Sequence, residues 1–377
     1  MGVRLHLSQP TWRNEIPLFF GGVMALAVLF HVGPSSAATS TASLLWTGWL
    51  LACIIACSAR AMSHADRLAE RFGEPGGTII LTIAAITIEV AAVCAIMLGS
   101  AGNPTVARDS MFAVLMVIMN GLVGGCMLLG SYKRGEQSFN PDSSSAYLPL
   151  IVTLGTFALV LPRFTQSQLG GWMSDGMQIF VGGGSLVIFA AFLWMQSSRY
   201  RGYFSVGHPE TAVVAVHTGT SSLKKTITML VVSLVIVVAC AEGIAGRVSS
   251  LLLVLHLPAA FGGVFIAIMV LAPEGLAALR ASMRGDMQRS INVLLGSALS
   301  TIGLTVPAVL VVRWVSGIDP ELGLEAPYIV LLILTFFVSA LSLMRGRVNA
   351  IVGLIHLLIF LGWLVTIMDE SLIPALP

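Results

Sequence analysis

The sequence predicts an all-α polytopic membrane protein with about eleven transmembrane helices, and three observations carry that expectation. The 377 residues are 56% hydrophobic and only 10% charged, with a mean hydropathy of +0.91, where a soluble domain carries about 25% charged residues. The apolar residues come in continuous runs long enough to cross the bilayer as helices, not in the alternating ten-residue strands of an outer-membrane barrel. The basic residues sort into alternate loops. The five cysteines, Cys53, Cys57, Cys94, Cys126 and Cys240, all fall inside apolar runs. They form neither a Cys-x-x-Cys pair nor a disulfide framework, and read as buried apolar side chains.

The runs cover approximately residues 17–35, 42–60, 77–99, 108–130, 147–162, 177–197, 226–246, 257–279, 290–313, 327–344 and 348–368. The first follows a polar stretch, residues 1–16, and leads into a full-length span, so no cleavable signal is expected. The fifth is short and flanked by Pro149 and Pro162. Numbering the loops alternately puts Arg4, Arg13, Arg60, Arg67, Arg71, Lys133, Arg134, Arg199, Arg201, Lys224, Lys225, Arg280, Arg284, Arg289, Arg345 and Arg347 in one set. Only Arg108, Arg163, Arg247 and Arg313 fall in the other. By the positive-inside rule the N-terminus is cytosolic and the C-terminus external. One missed span would scramble this alternation downstream. Tryptophans such as Trp12, Trp46, Trp172 and Trp314 fit interfacial belts.

One span stands apart. The run from Gly77 to Gly99 is apolar except for hydroxyls and one carboxylate, Glu89. Glu89 lies twelve residues from Gly77, roughly 18 Å along a helix and so near mid-membrane, where a charge costs about 2.5–3.5 kcal/mol or more. Only two other acids sit inside apolar runs, Glu242 and Glu274. Glu274 also lies twelve residues after a glycine, Gly262, in the eighth span. Each glutamate is followed by a loop with an Arg and an Asp, then by a Gly-rich or Ser-rich span. That span holds Asn120 before GLVGGCMLLG in the first case, and Ser297, Ser300 and Thr301 in the second.

The chain therefore divides into a cytosolic N-terminus with the first helix (1–41), a first five-helix repeat (42–197), a cytosolic linker (198–225), a second five-helix repeat (226–368) and an external tail (369–377). Five is odd, so the repeats insert in opposite orientations. That is the inverted-repeat plan of secondary transporters, whose sites lie at the repeat interface near midplane. Equal offsets from opposite faces bring Glu89 and Glu274 to similar depth.

At these residues the chain resembles the calcium/cation antiporter superfamily. RLAERFGEPGGTIILTIAAITIEV (67–90) is similar to its first repeat, and LAPEGLAALRASMRGDMQRSINVLLGSALSTIGLTVPAVLVV (271–312) to its second. The likeness is strongest to bacterial ChaA-type calcium, sodium or potassium/proton antiporters and covers approximately residues 60–370. The superfamily usually has Gly-Asn before its repeat glutamates; here Thr87–Ile88 and Ala272–Pro273 stand there, which leaves ion selectivity open. The resemblance implies that Glu89 and Glu274 bind the cation and exchange it for protons, and that one extra N-terminal helix precedes the repeats. The linker has Glu210 against four basic residues, so it does not resemble the acidic segment of some relatives.

The chemistry agrees. Two carboxylates at mid-membrane are tolerable if protonated or if a cation sits between them. Ca2+ takes six to eight oxygens. Two carboxylates supply up to four, and Asn120, Ser297, Ser300, Thr82 or Thr87, backbone carbonyls and water would supply the rest. Hydroxyl and amide side chains also serve as helix-packing polars, which is the competing reading for these five. Pro273 lacks an N–H and so frees a carbonyl one turn earlier.

The expected function is a secondary active cation/proton antiporter exporting Ca2+, or else Na+ or K+, by alternating access at a two-glutamate site. A cation channel or a non-transporting scaffold is the alternative. Neither a filter-like loop nor pore rings are visible, and a scaffold has no use for matched deep carboxylates. No Gly-x-Ser-x-Gly, His-Glu-x-x-His or intramembrane Asp pair occurs, so no enzyme is expected. No cofactor is expected beyond the transported cations and protons. The partners are the lipid bilayer and a further copy in a homo-oligomer, with no nucleic acid, and the location is a bacterial inner membrane. Glu242 sits nearer the outer end of its span, where it either pairs with Arg247 or serves access or proton relay. His256 and His356 read as a loop residue and a packed helix polar. His64, Asp66, Glu70 and Glu74 sit at the cytosolic mouth, where they either concentrate cations or form a solvated loop face.

Overall fold

The computed structural model describes residues 15–34, 40–72, 104–165, 172–197, 222–255, 257–258, 261–317 and 319–370, with isolated positions between 83 and 90. Most of the predicted third span, including Glu89 and Thr82, and most of the linker lie outside the described residues. Among those described, nine helices are long and apolar enough to cross a membrane, with one shorter apolar helix before them. The short helix, α1, is Ile16–Leu29, with 14 residues.

The nine longer helices follow in order. α2 is Thr41–Phe72. α3 runs from Val106–Met116 through a π-helical turn, Val117–Leu122, into Val123–Arg134. α4 runs from Pro141–Gly155 through a second π turn, Thr156–Val160, to Leu161–Phe164. α5 is Asp175–Ser197, α6 Leu223–Val254, α7 Phe261–Met283, α8 Met287–Ser316, α9 Ala326–Leu343 and α10 Ala350–Glu370.

α1 stops at Leu29, short of the full-length span expected over 17–35, and two further helices differ from their sequence expectation for local reasons. α2 continues past residue 60 because Ala61, Ala65 and Leu68 form one buried stripe at helical spacing. His64, Asp66 and Glu70 therefore sit on a helix, not in a loop. α4 is 24 residues long as a spanning segment, not the short span expected. Asn140 caps it by accepting the Asp142 N–H at 3.0 Å, and Pro141 occupies the first turn, where a missing N–H costs nothing.

The described helices form two hydrophobic cores that meet at α7. One joins α1, α2 and α6 with Met269 and Val270 of α7; the other joins α3, α4, α5, α8, α9 and α10 with Val264, Ala267 and Leu271 of α7. α3 and α8 are central, 72% and 61% buried over their apolar stretches, whereas α10 is 28% buried and faces outward. α3 and α10 cross at their glycines. A Cβ on Gly353 would stand 2.6 Å from the Leu128 nitrogen and 2.8 Å from the Gly124 carbonyl, so only glycine allows this approach.

The loops sort to two ends. At one end Gln137–Ser138 pairs antiparallel with Arg347–Val348 as strands β1 and β2, and Arg134 reaches the Met283 carbonyl at 3.4 Å. At the other end Arg108 binds Glu321 at 2.9 Å and Asp109 at 2.8 Å. There too Arg313 binds Asp175 at 2.8 Å and also Asp319, and Arg247 donates to the Pro34 carbonyl and to Ser43. Three of the four arginines of the sparse loop set are thus committed to local partners. Arg247 does not pair with Glu242, which is exposed on α6. At the N-terminal end Glu15 bridges Arg60 at 2.7 Å and His64 at 3.3 Å, tying α1 to α2. Burial opposes the charge on Glu15, but Arg60 and His64 together outweigh it, and the carboxyl sits below its usual range.

Candidate ion-binding site

Glu274 is carried by α7, whose helix runs unbroken through Pro273. Pro273 has no N–H, so the carbonyl of Met269, four residues back, lacks its helical partner. Glu274 is partly buried, and its Oε2 accepts a 2.6 Å hydrogen bond from Ser297 Oγ on the neighbouring α8. This is the one side-chain to side-chain hydrogen bond between two sequence-predicted site residues among the described residues.

The hydroxyls around Ser297 turn back on α8. Ser300 donates to the carbonyls of Gly296 at 2.8 Å and Ser297 at 2.9 Å, and Thr301 donates to the Ser297 carbonyl at 2.9 Å. Their hydrogens are used by backbone, so each oxygen has only lone pairs left to offer. That is the face a cation ligand must present. The deeper Thr305 hydroxyl is buried without a partner among the described residues. Next to Glu274, Gly275 abuts the end of the α3 π turn, where a Cβ would stand 2.9 Å from Leu122.

Asn120 is not joined to Glu274. Its Nδ2 donates to Thr335 Oγ1 at 2.8 Å and its Oδ1 faces His356 Nδ1 at 3.3 Å. His356 Nε2 in turn meets Ser342 Oγ at 2.9 Å. Thr87 is exposed and donates to the Ile83 carbonyl at 2.7 Å. Thr335 and Ser342 escaped the sequence reading, although Thr335, Ser339 and Ser342 form a hydroxyl stripe at i, i+4 and i+7 that marks a buried face. Among the described residues no group of three His, Cys, Asp or Glu side chains converges on one point.

The family described as sodium/calcium exchanger protein matches residues 42–198 and 225–368. The chain belongs to this family. The chain is similar to the putative ionic transporter y4hA of Sinorhizobium fredii, 37% identical over 93% of this chain and 94% of that protein. The sodium-potassium/proton antiporter ChaA of Escherichia coli is 32% identical over 95% of this chain and 97% of its own. The structure of native YfkE superposes with a TM-score of 0.70, covering 93% of this chain and 99% of that one at 15% identity. A second YfkE structure, described as a Ca2+/H+ antiporter protein, superposes with a TM-score of 0.65, covering 95% of this chain and 99% of that one at 16% identity. At these identities the two superpositions report fold. The chain is thus an integral membrane protein of the calcium/cation antiporter superfamily with ChaA-like sequence, and its relatives are cation exchangers.

Proposed function

We propose that the protein is a cation/proton antiporter that exports Ca2+, or Na+ or K+, in exchange for H+ by alternating access. The observation that carries this reading is the Ser297–Glu274 hydrogen bond, a carboxylate held inside a membrane helix pair with one of its oxygens paired among the described residues; the other is proposed to meet a cation or a proton. An intramembrane acid is expensive and is kept where ions pass. Glu89, at the matching offset in the first half, is the second carboxylate of the proposed site. Ser300 and the freed Met269 carbonyl add oxygen lone pairs, whereas Asn120 already has partners for its amide. The family match in two segments supports two repeats, 42–197 and 226–368, joined by the linker 198–225.

A cation entering from the cytosol displaces the protons, the helices carrying the glutamates move, and protons reload after release outside. Competition follows from shared oxygens, because ion and protons neutralise the same charges. The basic loop set, including the β1–β2 end, faces the cytosol of a bacterial inner membrane, with the N-terminus inside. The test is a pH probe in energised inverted vesicles while calcium, sodium, potassium or magnesium is added. Wild type dissipates the gradient with the transported cation, and Glu89→Gln or Glu274→Gln does not. Undiminished exchange in both variants overturns the site, and cation current without proton movement makes the protein a channel.

A further inference from the structure

Asn120, Thr335, His356 and Ser342 form a buried chain of hydrogen bonds that the exchange site does not use. Asn120, Thr335 and His356 are each 0% exposed. The proton positions follow from counting donors. Thr335 Oγ1 has one hydrogen, and the Leu331 carbonyl takes it at 2.7 Å. Thr335 can then only accept from Asn120, which fixes Nδ2 toward Thr335 and Oδ1 toward His356. His356 Nδ1 must therefore carry the ring proton. Its Nε2 then accepts from Ser342, whose other contact, the Ser339 carbonyl, is longer at 3.3 Å. Every member is satisfied, and none is charged.

The chain spans three helices and ends on the π turn. Asn120 lies within Val117–Leu122, where the Val123 N–H reaches back five residues to the Ile118 carbonyl. The opposite side of this turn presents Leu122 to Gly275, the neighbour of Glu274. One turn from Asn120, the Gly124–Gly353 crossing brings α10 close enough for His356 to reach it; a Cβ on Gly124 would stand 3.0 Å from the His356 Cβ.

We infer that Asn120 and His356 are positioning residues: with Thr335 and Ser342 they fix the π turn of α3 against α9 and α10, and through Leu122 they set the seat of Glu274. They do not bind the cation. This rests on the transport reading above. A wide π turn is a costly local geometry that persists where surrounding contacts over-determine it. Residues in one network act as a unit, so their substitutions do not add.

The full-length protein in proteoliposomes tests this through a double-mutant cycle on initial exchange rates. Asn120→Ala, His356→Leu and the double variant each lower the maximal rate by about five- to tenfold with a nearly unchanged cation KM, and the double is no slower than either single. His356→Asn, which keeps an N–H toward Asn120, recovers most of the rate. Imidazole 15N spectra assign His356 as protonated at Nδ1 and bare at Nε2, by difference from His356→Asn. A raised KM in Asn120→Ala with unchanged kinetics in His356→Leu makes Asn120 a ligand and overturns the inference. Multiplying effects, or a proton on Nε2, overturn it as well. Where His356→Leu does not yield folded protein, Thr335→Val against Thr335→Ser asks the same question. The hydroxyl-retaining variant keeps the rate, and equal rates in the two refute the network. Wild-type exchange abolished by Glu274→Gln separates failure of this inference from failure of the transport reading.

Discussion

Two buried polar groups flank α3, and they are built on opposite terms. On one side Glu274 has, among the described residues, a single side-chain partner, Ser297, on one of its two oxygens. On the other, Asn120, Thr335, His356 and Ser342 leave none of their bonded atoms idle. Both carry polar atoms into a membrane interior where each orphan costs several kcal/mol. The second group meets that cost internally and becomes structure. The first remains incomplete, and a visiting cation or proton can complete it. The difference teaches how to read intramembrane polarity: a saturated cluster positions, and an unsaturated carboxylate exchanges.

Breaking the unsaturated side has the largest expected effect. Glu274→Gln abolishes cation-dependent proton movement in vesicles while the protein still inserts, because the amide keeps the shape and loses the titratable charge. Next comes the crossing that supports the saturated side. Gly353→Ala drives a Cβ against backbone and costs about 1–3 kcal/mol, visible as a lowered melting temperature in detergent. A softer intervention is Ser297→Ala, which removes the one hydroxyl that the described residues place on Glu274. It raises the cation KM by about three- to tenfold and leaves the melting temperature nearly unchanged; an unaltered KM would sever Ser297 from the site.

The smallest effect tests a control far from both groups. Glu15→Gln loosens the tie from α1 to Arg60 and His64 by about 1 kcal/mol or less, as for a partly exposed ion pair. The carboxyl of Glu15 lies below its ordinary value, so its contribution is full above the unfolded-state pKa and fades as pH falls through the lowered folded value. The melting temperatures of wild type and Glu15→Gln therefore differ at neutral pH and converge in acid, with exchange kinetics alike throughout. A difference that grows in acid contradicts the assignment.

Much of this was legible before any coordinates. Continuous apolar runs reveal spanning helices because lipid demands internally bonded backbone, and charge alternation indicates which loops share an end. The pairing of 137–138 with 347–348 joins two loops of the basic set, as that alternation requires. Glu274 and Ser297 were named from offset and side-chain type, and they are in contact. The partner choice of Asn120 was not legible. A π turn shifts the face a helix presents by one residue, and no local pattern in VIMNGL declares it. The polar residues around His64 suggest a loop, whereas the buried stripe of Ala61, Ala65 and Leu68 keeps it helical.

The bonds that complete Asn120 arrive late in synthesis. Thr335 lies 215 residues downstream and His356 236, and the β1–β2 ladder closes a loop of similar length. When the ribosome has delivered only the first half, α3 enters the bilayer with its amide unanswered and its glycines facing lipid. The nascent half is then an intermediate that waits for its complement, and the C-terminal helix pair acts as the clasp that ends its biogenesis. A chain truncated before residue 326 should accordingly insert but remain a target for membrane quality-control proteases, and co-expressing the missing segment should protect it.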